Sequence, residues 1–203
     1  MPLKLYDKEK ILQACFNVFA QYGYVNTSTT MLAEAAGISK ALIFHHFKSK
    51  KNLYLSVLDR CIEKGRIEMG FDTLVDNYDF YEAKIKFSII KFNYYKNNPN
   101  LMKIMIEAFY LTPDELRTEI QNKYGFFLAE SEKEWMRAFE KVPLKEGVDR
   151  EKAFRLIMIT LDYLEKKYFP DAGNNSVLNE MDLLDFIEES KCFITMIKFG
   201  IEN

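Results

Sequence analysis

Glycine and proline are scarce in this 203-residue chain, at eight and five residues. That is too few for the many tight corners of a turn-rich all-β architecture. Cysteine is rarer still, and Cys15, Cys61 and Cys192 are odd in number and widely separated. They support neither a disulfide framework nor a CxxC metal site, so the chain reads as cytoplasmic. The two histidines, His45 and His46, are adjacent. On a helix, neighbours diverge by about 100°, so the pair chelates one ion poorly, and no cysteine or third histidine lies near it. No glycine-rich phosphate loop and no nucleophile elbow appears. Paired carboxylates such as Asp114-Glu115, Glu188-Glu189 and Glu130/Glu132/Glu134 read as helix starts and solvated faces. Apolar runs are short and broken by charge, which excludes a membrane-spanning helix. The opening MPLKLYDKEK lacks the apolar core of a secretory signal. An enzyme, a metal centre, a bound cofactor and a membrane partner are therefore not expected.

What is present is apolar side chain and an uneven distribution of charge. Hydrophobic residues make up 48% of the chain, ample for a packed core. The formal net charge of −2 hides an asymmetry. Residues 1–53 hold seven lysines (4, 8, 10, 40, 48, 50 and 51) against Asp7, Glu9 and Glu34, a balance of +4 that leaves −6 for the remainder. A basic front on an acidic remainder suits a nucleic-acid-facing module attached to something that does not face nucleic acid.

The stretch Thr27 to Leu53, TSTTMLAEAAGISKALIFHHFKSKKNL, gives that front a shape. Thr27 or Ser28 can cap a short helix, because a side-chain oxygen there accepts from an otherwise orphan amide. Met31, Leu32 and Ala35 follow at helical spacing, and Gly37 permits a sharp turn. Ser39 caps a second short helix whose Leu42 or Ile43 and Phe47 can face inward, leaving Lys40, Ala41, Phe44, His45 and His46 shared between surface and core. A helix, a short glycine turn and a second helix form a helix-turn-helix. Before it, residues 7–23 carry Ile11, Ala14, Cys15, Val18, Phe19 and Tyr22 on one stripe, with Asp7 able to cap the start and Gly23 placed to end it. After it, Ser49 caps a helix from Lys50 to about Gly70. The free amides at that N-terminus, beside Lys50 and Lys51, suit a backbone phosphate. Lys4, Lys8 and Lys10 could also reach phosphates, or simply be solvated.

The order Thr-Ser, Leu-Ala, Ala-Ala-Gly-Ile-Ser-Lys, Phe-His-His-Phe-Lys-Ser-Lys and Leu resembles the DNA-binding signature of the TetR family of bacterial regulators. The resemblance is specific over about residues 7–55 and architectural beyond. It implies a recognition helix of about Ser39 to Phe47 in the major groove, where base edges are distinguishable. Thr27, Lys40, His46 and Lys50 would then hold the backbone, while Ala41, Leu42 and His45 face the bases. Ser28 and Ser39 offer further hydroxyls, and histidine can donate to a phosphate, more strongly when protonated. Phe44 stands where relatives usually carry tyrosine, so one hydroxyl-to-phosphate contact should be missing. Leu42 would offer an apolar contact, such as one to a thymine methyl.

Beyond residue 70 the chain reads as helices throughout. Residues 71–78, with Asp76 and Asn77, loosen the pattern. A helix from Tyr78 to Asn97 carries Tyr81, Ile85, Ser88, Ile89, Phe92 and Tyr95 on one face, and Asn97-Asn98-Pro99 interrupts it. A shorter helix over about 100–110 includes Met102, Met105, Ile106 and Phe109. Thr112-Pro113-Asp114-Glu115 opens a long helix ending near Val142, with Ile120, Tyr124, Phe127, Leu128, Trp135 and Phe139 inward. Pro143 to Asp149 is a loop, 150–168 a helix, Asp171 to Asn175 a polar loop, and about 180–200 the last helix. Residues 156–161, and 193–199 with Phe193, Ile194, Met196, Ile197 and Phe199, are apolar on more than one side, which calls for a second burial partner.

These readings predict an all-α protein: a three-helix helix-turn-helix DNA-binding domain over residues 1–49 and a larger helical effector-binding and dimerisation domain over 50–203. The dimer would form through Leu156, Thr160, Leu164, Phe193 and Ile197. Aromatic and methionine side chains after residue 78 fill a core and can also line an adaptable pocket. In the resembling family this region binds a small effector, here expected among Ser88, Phe92, Tyr95, Met105, Phe109, Tyr124, Phe127, Trp135 and Tyr163. Glu107 has Lys103 one turn before it and Asp162 has Lys166 one turn after, both reading as surface pairs. With no lone buried charge in view, the expected effector is neutral or lipophilic, oriented by Tyr95, Tyr124 or Tyr163. The implied function is ligand-responsive transcriptional regulation, as a repressor bound to a near-palindromic double-stranded DNA operator. The rivals are a chromosome-organising or partner-binding DNA protein without an effector, and an enzyme with a vestigial helix-turn-helix.

Overall fold

A computed structural model describes residues 8–70, 78–168 and 178–202. Among them are nine helices and no strand beyond one isolated antiparallel bridge, Leu144 to Glu202. The helices are α1 (Lys8–Asn26), α2 (Thr29–Ala36), α3 (Lys40–Phe47), α4 (Lys50–Met69), α5 (Phe80–Asn97), α6 (Pro99–Phe109), α7 (Asp114–Glu140), α8 (Arg150–Tyr168) and α9 (Glu180–Ile201). The all-α expectation holds. The readings placed on Lys4, Asp7, Asp76, Asn77 and the loop 171–175 lie outside the described residues.

The chain gathers into two compact units, one of residues up to 65 with 98–123, the other of 66–97 with 124–203. In the first, α1 packs against α2 and α6, and the centre is filled by Ile11, Cys15, Phe19, Leu32, Ile43, Leu53, Tyr54 and Leu58, all buried. Phe19 and Tyr24 both meet the Tyr54 ring edge-on, at centroid distances of 5.1 and 5.2 Å. The stripe expected on α1 is correct as far as Phe19. Tyr22, however, is exposed, and Tyr24 takes the inward place. The cause is Gly23, whose φ of 72° breaks the helical path within α1, so the 3.6-residue period does not carry past it.

In the second unit α9 packs on α5 and α8. Its core joins Phe80, Tyr81, Trp135, Phe139, Phe154, Ile157, Leu161 and Ile194, with Phe87, Met158 and Ile197 packed against them. The C-terminal end of α7 leaves carbonyls without helical partners. Arg150 closes that end by donating to the carbonyls of Phe139 (2.7 Å) and Val142 (3.0 Å). The middle of α7 departs from expectation: Phe127 and Leu128, expected inward, are exposed like their neighbour Phe126, Phe127 by 44%. Three consecutive helical residues point in three directions, so they cannot share one inward face.

Candidate nucleic-acid interface

Two serines set the helix-turn-helix. Ser28 Oγ accepts from Met31 N at 3.2 Å and starts α2, and Ser39 Oγ accepts from Leu42 N at 3.2 Å and starts α3. Gly37 ends α2 in the left-handed region (φ 64°, ψ 31°), and its N–H returns to the carbonyls of Ala33 and Glu34. At eight residues, α3 is too short to persist alone. Ile43 and Phe47, 0% and 4% exposed, anchor it. Burying two such side chains stabilises by roughly 3–6 kcal/mol.

That anchoring decides what faces outward. Lys40, Ala41, Phe44, His45 and His46 are exposed and Leu42 is half-buried. The two imidazoles sit edge-on, 5.4 Å apart. Lys48, which follows α3 with a positive φ of 64°, is also exposed and was not among the expected site residues. Ser28 and Ser39 are exposed as well. Each uses its oxygen as an acceptor in its cap, so the hydroxyl hydrogen remains able to donate to a phosphate.

Thr27 and Lys50 sit differently from the backbone anchors they were expected to be. Thr27 is buried, and its Oγ1 donates to the Gly23 carbonyl at 2.6 Å. Lys50 Nζ donates to the carbonyls of Tyr24 (3.0 Å) and Thr27 (3.1 Å) and lies 4.2 Å from the Tyr24 ring centroid. Both residues fasten the end of α1 to the start of α4. Lys51 is ion-paired with Glu119. Within the reach of the α3 N- and C-termini, Lys40 and Lys48 remain as exposed cations.

The same corner holds Glu107, which corrects the expected surface pair with Lys103. Its Oε1 accepts from the Tyr24 amide at 2.7 Å and its Oε2 from the Tyr54 hydroxyl at 2.9 Å. Burial pushes the Glu107 carboxyl above its usual range, while Tyr24, Tyr54 and Lys50 pull the other way. The local i, i+4 rule sees only Lys103; the real partners are 83 and 53 residues away. Asp162 and Lys166 do pair, at 2.6 Å.

Residues 11–57, spanning α1, the helix-turn-helix and the start of α4, match the sequence profile of bacterial regulatory proteins, tetR family. That segment is a TetR-type DNA-binding region. The chain is 25% identical over 114 residues to the HTH-type transcriptional activator FasR of Mycolicibacterium smegmatis, covering 55% of this chain and 51% of FasR. It is 31% identical over 92 residues to the HTH-type transcriptional repressor AcnR of Corynebacterium glutamicum, covering 40% and 49%. This chain thus spans about half the length of these curated relatives. The fold extends further. The structure of SmeT, the repressor of the Stenotrophomonas maltophilia multidrug efflux pump SmeDEF, superposes with a TM-score of 0.66 at 20% identity, covering 97% of this chain and 91% of SmeT. The relatives are named as transcriptional regulators, not as enzymes.

Outside the TetR-type head, the residues expected around an effector divide. In the second unit Ser88, Phe92, Tyr95, Tyr124 and Trp135 are buried, with Phe92 stacked on Phe186 at 5.8 Å. Phe127 and Tyr163 are 44% and 59% exposed and are removed from that set. Met105 and Phe109, on α6 of the first unit, are half-buried. The expected dimer residues divide too. Leu156 is exposed and Thr160 half-buried, whereas Leu164 is fully buried in its own unit and Ile197 packs on the core. Phe193 is half-buried. Ile159, Tyr163, Met196 and Phe199 carry the outward apolar surface instead, with Ile159 and Phe199 59% and 76% exposed. The expected two-sided character of α8 and α9 is present; its phase differs by one to three residues.

Proposed function

We propose that this chain is a TetR-type DNA-binding transcriptional regulator that reads a near-palindromic operator as a homodimer. Residues 1–49 supply the reading head and 50–203 the effector and dimer functions. The observation that carries the proposal is the outward face of α3, where Lys40, Ala41, Phe44, His45 and His46 lie together on a helix pinned from behind by Ile43 and Phe47. Such a helix can enter the major groove, with Ala41, Leu42 and His45 at the bases and Lys40, His46 and the hydroxyls of Ser28 and Ser39 at phosphates. Phe44 adds an apolar edge without a hydroxyl. Thr27 and Lys50 contribute by holding the head in shape.

Dimerisation has support in the exposed apolar stripe Leu156, Ile159 and Tyr163 on α8 and in Met196 and Phe199 on α9. A self-complementary pairing of that stripe gives the twofold symmetry that a palindrome matches. The two recognition helices would then stand about 34–36 Å apart, one turn of DNA. A small, largely apolar effector held by the second unit shifts the dimer toward a separation that no longer fits, which releases DNA and relieves repression. AcnR and SmeT are named repressors and FasR an activator, so repression is the reading favoured here.

Selection of the purified protein against random duplex DNA tests this reading. The enriched sequences should share two inverted half-sites, and the complex should contain two chains per duplex by light scattering. Enrichment without inverted symmetry, or a one-chain complex, refutes the dimeric reading; no enrichment refutes sequence-specific binding altogether.

A further inference from the structure

Among the described residues, the second unit buries a lysine that no carboxylate contacts directly. Lys84, on α5, is only 7% exposed. Among the described residues its ammonium has no ion-pair partner within 4.0 Å, and what it faces is the Trp135 ring, 4.3 Å from Nζ to centroid. Lys84 shares its helix face with Tyr81, Ser88, Phe92 and Tyr95, all buried, at spacings of three and four. Two turns along from Lys84, Lys91 is paired with Glu165 of α8 at 2.7 Å, in a setting where the two side chains are 17% and 14% exposed.

Among the described residues, the charges that bear on Lys84 are those of Lys91 and Glu165, and Glu165 is engaged by Lys91 at 2.7 Å. Burial draws the Lys84 amine down to about 8, outweighing the upward pull of the Glu165 carboxylate, and the like charge of Lys91 acts in the same direction as burial. The Trp135 face attracts a cation, but more weakly than a carboxylate in hydrogen-bond contact does. An unpaired buried cation destabilises the fold, so a side chain of this kind in an otherwise aromatic core calls for a compensating anion.

We infer that Lys84 is the counter-charge for a small organic monoanion, a carboxylate with an apolar body, that binds inside the second unit beside Trp135. The inference rests on the effector-regulated reading given above and narrows it from an apolar molecule to an amphiphilic acid. The single positive charge of Lys84 matches a single carboxylate better than a dianionic phosphate ester. The apolar body suits Trp135 with Phe80 and Phe87, whose rings meet the indole at centroid distances of 6.3 and 5.9 Å. Lys84 is thereby a residue kept for a ligand at the expense of the ligand-free fold.

The test compares straight-chain carboxylates, from hexanoate to palmitate, with the alcohols of the same chain length, on the full-length protein. Thermal shift and release of selected operator DNA are both read. A carboxylate of fitting length should raise the melting temperature and release DNA, and its alcohol should do so less. The variant K84M, which replaces the amine with an isosteric apolar side chain, should melt above wild type without ligand and lose roughly tenfold or more in carboxylate affinity, as expected for one charged hydrogen bond. K84Q serves as a second variant and should lose carboxylate affinity in the same way. A lower melting temperature for K84M, or undiminished carboxylate binding by both variants, overturns the inference. Binding by alcohols with none by carboxylates overturns it and leaves effector regulation standing. Silence from both series overturns the inference and the effector reading together.

Discussion

Replacing Glu107 separates the two ways in which a buried carboxylate can act. In Glu107→Ala the Tyr24 amide loses its 2.7 Å acceptor and the Tyr54 hydroxyl its 2.9 Å acceptor, and the Tyr54 side chain is fully buried. The Tyr24 amide, left without that acceptor, costs about 1–3 kcal/mol, while the Tyr54 hydroxyl falls back on the longer bond to the Ile104 carbonyl at 3.5 Å. Relief from burying the carboxylate returns on the order of 1 kcal/mol and partly offsets this, so the net loss should be roughly 1–2 kcal/mol. Glu107→Gln behaves differently. Its amide oxygen can keep the Tyr24 N–H, and its NH2 can donate to the Tyr54 oxygen, which accepts as well as donates. The loss should then stay under about 1 kcal/mol. The pH dependence has a definite sign. Burial raises the folded carboxyl above 4.5, so the wild-type contribution is full below 4.5 and is lost as pH rises through the folded value. Wild type should therefore lose ground against Glu107→Gln over that interval. Urea unfolding and hydrogen exchange at the Tyr24 amide measure both effects. A Glu107→Ala protein within about 0.5 kcal/mol of wild type, with the Tyr24 amide still protected, would contradict a stabilising role for the Glu107 hydrogen bonds.

Three further outcomes follow from the same geometry. Gly23→Ala places a Cβ at a φ of 72° and 2.8 Å from Glu107 Oε1, and should destabilise the first unit by about 1–2 kcal/mol or more in urea titration. Leu164→Ala cuts a fully buried side chain and should cost about 2–5 kcal/mol, whereas Ile159→Lys should leave monomer stability nearly unchanged and weaken self-association in sedimentation. For Lys84, a folded value of about 8 against 10.5 means the buried charge penalises folding in full below 8 and the penalty fades up to 10.5. The stability of wild type relative to K84M should thus rise by up to ~3 kcal/mol over that range, measured by urea titration at each pH.

Much of the fold was legible because its boundaries are chemical. Ser28, Ser39, Ser49 and Pro99 mark helix starts by capping or by lacking an amide, and Gly23 and Gly37 mark turns that need positive φ. The outward set on α3 follows from Ile43 and Phe47 being the residues that fit inside. What was not legible depended on distant partners. Lys50 was read as a free cation beside a helix N-terminus, but its acceptors are Tyr24 and Thr27, brought close only by the fold. Glu107 escaped for the same reason. Lys84 escaped because lysine on an amphipathic helix reads as solvated, although its place between Tyr81 and Ser88 on the inward stripe was visible in the spacing. Leu164 and Ile197 show that a helix apolar on two sides does not reveal which side its own core claims; that depends on how α8 and α9 are rotated in the packed unit.

The proposed function stands on the outward face of α3 reading DNA. The most direct measurement is the affinity of the combined variant Lys40→Ala, His45→Ala, His46→Ala for a selected operator, over a series of salt concentrations. All three side chains are exposed, so fold and dimer should survive. Losing base and phosphate contacts should lower affinity by roughly a hundredfold at moderate salt, and losing the Lys40 contact should flatten the logarithmic salt slope by about 0.9 per duplex-bound lysine. A variant that folds, dimerises and binds the operator with wild-type affinity and slope would contradict the assignment.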